Sequence, residues 1–226
     1  MPRRRPMDNM QVGTQLPQED EFALMNLGVK SPYLEWAFAN RNNIWDDYLA
    51  LTELTSEQRT RWKETFRWFV GRLALRDERR LVLKSPGHTA RIRTLLEVFP
   101  DAQFIHIVRD PRSFIPSTIR TWTRMADSLS LQVRREPVST ERIFERFEAM
   151  YDHFRQDLPL LNETNFCEIR YADLVAQPLE EVEKIYAQLS LGDFEAARPA
   201  MKAYLQGRAG YRPNRHDVGD GLMSEI

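Results

Sequence analysis

Phe104-Ile105-His106-Ile107-Val108-Arg109-Asp110-Pro111 decides the architecture of this chain. An apolar run rich in aromatic and β-branched residues stops abruptly at a charged pair closed by proline, the pattern of a strand that delivers a loop. Upstream, Leu81-Val82-Leu83 reads as another short, buried strand, ending at Lys84-Ser85-Pro86-Gly87, and a helical stretch from about Thr89 to Val98 separates the two. Strand, helix and strand at that spacing make a βαβ unit, which predicts a parallel pair. Phe166 to Tyr171 reads as a third strand. The expected fold class is therefore α/β, a parallel sheet flanked by helices.

Helices fill most of the remainder. A short one is expected from about Pro17 to Gly28, and another opens at Ser31-Pro32, where Ser can cap and Pro takes the first helical position. Thr55 with Gln58 forms a capping box ahead of Trp62, Phe66, Phe69 and Leu73, which recur at helical spacing. Further helices are expected from about Ser113 to Ala126, from Ser139 to Phe154, and over 178–190 and 194–206. Residues 1–20 and those beyond Gly207 read as loop, and no repeat or linker divides the chain, so one domain over 1–226 is expected.

With 226 residues, 42% of them hydrophobic, the chain can bury one substantial core. Its 32 basic and 33 acidic residues leave a formal charge of -1, which calls for neither nucleic acid nor an anionic membrane, so any anion site must be local. Cys167 stands alone, excluding an intrachain disulfide and a cysteine-rich metal site. No run approaches the ~18 apolar residues of a membrane helix, and Met1 to Arg5 lead into polar sequence. A cytoplasmic protein without a membrane segment is the expectation; oligomeric state stays open.

Open parallel sheets bind ligands beyond the carboxyl ends of their strands. The three expected strands end at Lys84, Arg109 and Arg170-Tyr171, and six Arg against two Asp lie between Arg109 and Arg135. A polyanionic ligand is implied. Ser117, eight residues after Arg109 and early on the next helix, can add a hydroxyl to the anion that Arg109 grips with its fork. The plainer reading of Arg109-Asp110-Pro111 is a turn with an internal ion pair, and Trp36, Phe38 and Trp45 are either an acceptor pocket or core.

Leu83-Lys84-Ser85-Pro86-Gly87-His88, Phe99-Pro100-Asp101-Ala102, Val108-Arg109-Asp110-Pro111-Arg112 with Ser117, and Arg170-Tyr171-Ala172-Asp173-Leu174 together resemble the sulfotransferases that use 3′-phosphoadenosine 5′-phosphosulfate (PAPS). The resemblance covers roughly residues 80–195 and implies a P-loop-like sulfotransferase fold, PAPS as co-substrate and no metal. It assigns the donor's 3′-phosphate to Arg109 and Ser117, and charge on the bridging oxygen to Lys84. Cytosolic members place a catalytic His two residues after that Lys; here Pro86 stands there and His88 follows two later. Other members use a carboxylate base, for which Glu19 or Glu21 are candidates, the alternative being an acidic first helical turn. Tyr171 would contact the nucleotide, and Arg208, Arg212 and Arg215 would fold over its phosphates.

One departure from the family pattern stands out. The strand and Gly/Ser/Thr-rich loop that hold the 5′-phosphosulfate are not found, so an N-terminally incomplete or inactive chain is expected, with a sheet edge left uncovered and a tendency to aggregate. The implied reaction is sulfuryl transfer to the hydroxyl of a small molecule, carbohydrate or lipid. Two competitors are a non-catalytic nucleotide-binding remnant and a P-loop-type kinase, the latter disfavoured by the absence of a Walker A motif.

Overall fold

The computed structural model describes residues 13, 16, 18–41 and 44–207. They form two compact units, one of residues up to Pro100 with Thr118–Leu158, the other of Asp101–Ser117 with the residues from Pro159 on.

The first unit is helical. α1 (Asp20–Asn26) ends where Gly28 takes φ 84°, a conformation that suits glycine; the amides of Val29 and Gly28 then bond the carbonyls of Leu24 and Met25, a Schellman closure. Ser31 Oγ accepts the Tyr33 amide at 3.1 Å, but the helix expected to open at Ser31-Pro32 begins later, with Tyr33 at its N-cap and no side-chain cap, and α2 (Leu34–Ala37) and α3 (Asp47–Ala50) are each a single turn. α4 (Ser56–Arg76) begins with the capping box: Thr55 Oγ1 accepts from the Gln58 amide and Gln58 Oε1 from the Thr55 amide. We expect Thr55→Ala to cost about 1 kcal/mol, read as a melting temperature lowered by about 2–4 °C with α4 otherwise intact.

Trp62 and Phe66 are the buried stripe of α4, with ring centroids 5.0 Å apart, and Phe66 also meets Phe99 edge-on. α5 (Ile92–Val98) follows a 3-10 turn over Pro86–Ala90, and the buried Asp157 carboxylate accepts the Arg93 amide near its positive end. After α5 come β1 (Phe104–Val108) and α6 (Pro111–Leu129). α7 (Thr140–Asp157) then opens on Ser139, whose hydroxyl accepts the Arg142 amide.

In the second unit, β1 and β2 (Phe166–Arg170) pair in parallel, Phe104 opposite Phe166 through to Val108 opposite Arg170. α8 (Tyr171–Ala176), α9 (Pro178–Gln188) and α10 (Phe194–Gln206) complete it. Cys167 and Ile169 of β2 are buried with Ile185 and Leu189 of α9, and Leu174 and Leu191 pack around them. Ile105 and Ile107 share that sheet face by register yet remain 42% and 47% exposed.

The described sheet has two strands where three are expected, and the missing one is Leu81–Leu83. Leu81-Val82-Leu83 belongs to no regular element and has no ladder partner, and Val82 is 83% exposed. A strand is defined by its partner; without one the backbone groups of a short apolar run are left to solvent. Lys84 therefore sits on a loop, and only Arg109 and Arg170 stand at the sheet's carboxyl edge. Among the described residues no helix is long and apolar enough to cross a membrane.

Candidate functional site

Three consecutive carboxylates at the start of α1 each meet one basic side chain from the segment 84–91. Glu19 Oε1 meets Lys84 Nζ, Asp20 Oδ2 lies 2.8 Å from His88 Nε2, and Glu21 receives both terminal nitrogens of Arg91 at 2.5 and 3.1 Å. Burial deepens along the row. The Lys84 side chain is 75% exposed, that of His88 15% and that of Arg91 1%.

Local sequence explains the arrangement. Asp20 and Glu21 form the first turn of α1, where the helix dipole favours negative charge. Pro86 starts the 3-10 turn, and Gly87 lets the Arg91 guanidinium pass: a Cβ there would stand 3.1 Å from its central carbon. Arg91 also donates to the carbonyls of Tyr48 at 2.6 Å and Leu49 at 2.9 Å, satisfying the last turn of α3, and lies over the Trp62 ring.

The electrostatics divide these carboxylates by task. Burial pushes the Glu21 carboxyl up, but the charge and hydrogen bonds of Arg91, with a contribution from Ser31, more than offset it and hold it below its ordinary 4.5. Burial likewise raises Asp20, and the adjacent His88, with Arg91 behind it, brings it below 3.8. Both are locked into the core. Glu19 differs, because its second oxygen accepts from the Tyr33 hydroxyl at 2.9 Å and its cation, Lys84, is open to solvent. Burial, then the Glu19 charge, keep the Tyr33 phenol far above 10.0, so Tyr33 stays a donor.

In the second unit, Arg109 follows β1 directly. Its Nε donates to Ser113 Oγ at 3.0 Å, its Nη2 lies 3.3 Å from the Ser113 carbonyl oxygen, and its guanidinium carbon sits 4.8 Å from the Tyr171 ring centroid. This leaves a stacked fork with donors to spare. Asp110 Oδ1 accepts the Arg112 amide at 2.9 Å, so the first turn of α6 is already capped by a carboxylate. The Arg109 donors not engaged by Ser113 can bind an anion at the end of β1. The donor chemistry of this set fits a phosphate.

The structure thus places Glu19, Glu21, Lys84 and His88 together in the first unit and Arg109, Ser117 and Tyr171 in the second. Arg208, Arg212 and Arg215 lie outside the described residues. Arg91 and Tyr33 escaped the sequence reading. The available signal for Arg91 was a glycine four residues before a cation in the same segment as Lys84 and His88, facing a run of three acids.

The Sulfotransferase family matches residues 4–195. The omega-hydroxy-beta-dihydromenaquinone-9 sulfotransferases Stf3 of Mycobacterium bovis and Mycobacterium tuberculosis are each 37% identical over 216 residues, 96% of this chain and 56% of theirs. The chain therefore spans little more than half the length of these curated relatives. A crystal structure of the sulfotransferase STF1 from Mycobacterium tuberculosis superposes with a TM-score of 0.55 over 70% of this chain and 45% of that one, at 22% identity, a likeness of fold.

Proposed function

The chain belongs to the sulfotransferase family, and on that premise we propose that it acts in the transfer of a sulfuryl group from PAPS to an acceptor hydroxyl. The donor supplies the sulfuryl group and departs as adenosine 3′,5′-bisphosphate. Arg109 and Ser117 hold its 3′-phosphate, with Tyr171 beneath the Arg109 fork as a rigid backing. Arg212 and Arg215 are assigned to its phosphates by the family resemblance alone. The proposed reaction calls for no metal ion.

The observation that supports this reading most is the Lys84–Glu19–Tyr33 chain. In an in-line displacement the acceptor oxygen bonds to sulfur as the bridging S–O bond breaks, and one proton and one negative charge must be accommodated. Glu19 takes the acceptor proton. Lys84 meets the charge on the bridging oxygen, its exposed ammonium leaving Glu19 for the departing phosphate. Tyr33 holds the Glu19 carboxylate in place through the oxygen Lys84 does not use.

Glu21 and His88 are the other candidates for the base, and their settings favour support over proton transfer. Glu21 is bound at both oxygens by a buried guanidinium, and His88 is wedged between Asp20 and the Phe66 ring. For the acceptor we assign an apolar molecule bearing a hydroxyl, the kind of compound named for the two mycobacterial relatives.

Transfer of labelled sulfate from PAPS by wild type and by Glu19→Gln tests the reading. Gln keeps the shape and the bond from Tyr33 but cannot take a proton, so turnover is expected to fall by about 10²–10⁴-fold with adenosine 3′,5′-bisphosphate affinity unchanged. Equal turnover in the two proteins, with His88→Gln inactive instead, would move the base to His88.

A further inference from the structure

Helix α4 carries apolar side chains on two opposite faces, and the core of the first unit uses one of them. Trp62 and Phe66 are buried. Trp68 and Leu75 lie two turns apart along one line on the side that points away from Trp62 and Phe66. They are 51% and 80% exposed, and the exposed Gly71 lies between them. Singly, either would be an ordinary surface residue. Their alignment and the charges around them make a pattern.

Arginine surrounds the line. From Thr65 to Arg76 the helix holds Arg67, Arg72 and Arg76 and no acid, in a chain whose basic and acidic residues nearly balance. All three are exposed, and none has a carboxylate partner among the described residues. Arg72, one turn past Trp68, holds its guanidinium carbon 5.1 Å from the Trp68 ring centroid. Helical geometry sets Arg67 to one side of the line and Arg76 to the other. Glu64 and Asp77 bound the stretch, and Asp77 Oδ1 accepts from Arg79 Nε at 2.9 Å.

The partner that meets all of these groups at once has apolar depth beneath an anionic edge. Indole favours the boundary between hydrocarbon and water, Leu75 reaches below it, and the long arginine stems let the guanidinium groups extend to headgroup phosphates. A nucleic acid would satisfy the arginines and leave Leu75 in water. A protein partner needs about 800 Å² on each side, of which two apolar side chains are a small part.

We propose that the face of α4 bearing Trp68, Arg72 and Leu75 docks on an anionic lipid surface, with the helix lying along the interface. The whole-chain charge of -1 supplies no such attraction. The arginines of this one face supply it locally, within the short range over which salt leaves charges visible. The inference stands apart from the sulfuryl-transfer reading.

Co-sedimentation of the full chain with vesicles of equimolar phosphatidylglycerol and phosphatidylcholine, against vesicles of phosphatidylcholine alone, is the test. Wild type is expected to bind the mixed vesicles preferentially and to be released from them as salt is raised. Arg72→Gln with Arg76→Gln removes two charges and should weaken binding to the mixed vesicles about 30-fold. Trp68→Ser with Leu75→Ser keeps the charges and should weaken it by about ten-fold. Every substituted residue is exposed, so both variants should melt as wild type does. Equal binding to the two kinds of vesicle, or mixed-vesicle binding that survives either double variant, overturns the proposal. Absence of binding to the mixed vesicles overturns it as well; if that same wild type self-associates and Trp68→Ser with Leu75→Ser abolishes the association, the face belongs to a second copy of this chain.

Discussion

Arg109→Ala is expected to abolish the preference for adenosine 3′,5′-bisphosphate over adenosine 5′-monophosphate, lowering bisphosphate affinity by about 100-fold and leaving the monophosphate nearly unaffected. The two ligands differ in the 3′-phosphate alone. A guanidinium–phosphate fork makes two charge-assisted hydrogen bonds of roughly 1.5–3 kcal/mol each, and part of this fork is already engaged by Ser113, so about 2.7 kcal/mol is a reasonable loss. Arg109→Lys should recover only part of it, since an ammonium cannot match the fork or stack on Tyr171. Ser117→Ala, removing one neutral hydroxyl, should cost less than ten-fold. Titration calorimetry at one fixed salt concentration reads all three. Equal losses for both nucleotides would place Arg109 at the 5′ side instead, and no loss would remove it from the site.

The second large effect is on stability. Arg91→Met leaves the Glu21 carboxylate ionised, 2% exposed and without its bidentate partner, and releases the carbonyls of Tyr48 and Leu49. Breaking one side of a buried pair costs about 3–5 kcal/mol, which for a chain of this size corresponds to roughly 6–20 °C in melting temperature. Because the cost lies in the orphaned charge, Arg91→Met with Glu21→Leu should recover part of the loss. A single variant within about 1 kcal/mol of wild type would show that water or a rearranged side chain replaces the guanidinium.

The same pair sets an acid limit. The carboxyl of Glu21 is held below its ordinary 4.5 in the folded state, so its contribution is present above that value and is lost as pH falls through the lowered folded value. Asp20, held below 3.8, acts in the same direction. Acid should therefore unfold wild type in a window below about 4.5, and the double variant should lack Glu21's share of that dependence.

Much of the local structure was legible because it is written in local rules. The Thr55–Gln58 capping box, the Ser139 cap and the strands at Phe104–Val108 and Phe166–Arg170 need only their own residues to be recognised. The helix over 194–206 is found at those bounds. The short helix Tyr171–Ala176 has no counterpart in the expectation, which ends the preceding strand at Tyr171 and opens the next helix near 178, since the change of period occupies only six residues. The strand expected at Leu81–Leu83 failed for a different reason: hydrophobicity marks a candidate, but pairing makes a strand.

Sequence by itself determined the α/β class, the helix caps, the placement of Arg109 at the end of a strand with Ser117 on the helix after it, and the family resemblance, all of which follow from spacing along the chain. Tertiary structure decided which charge meets which. Glu19, Asp20 and Glu21 are consecutive and chemically alike, yet one faces an exposed Lys84, one a largely covered His88 and one a buried Arg91. Charge pairing across some seventy residues depends on burial and on the path of the backbone past Gly87, and those exist only once the helices have packed.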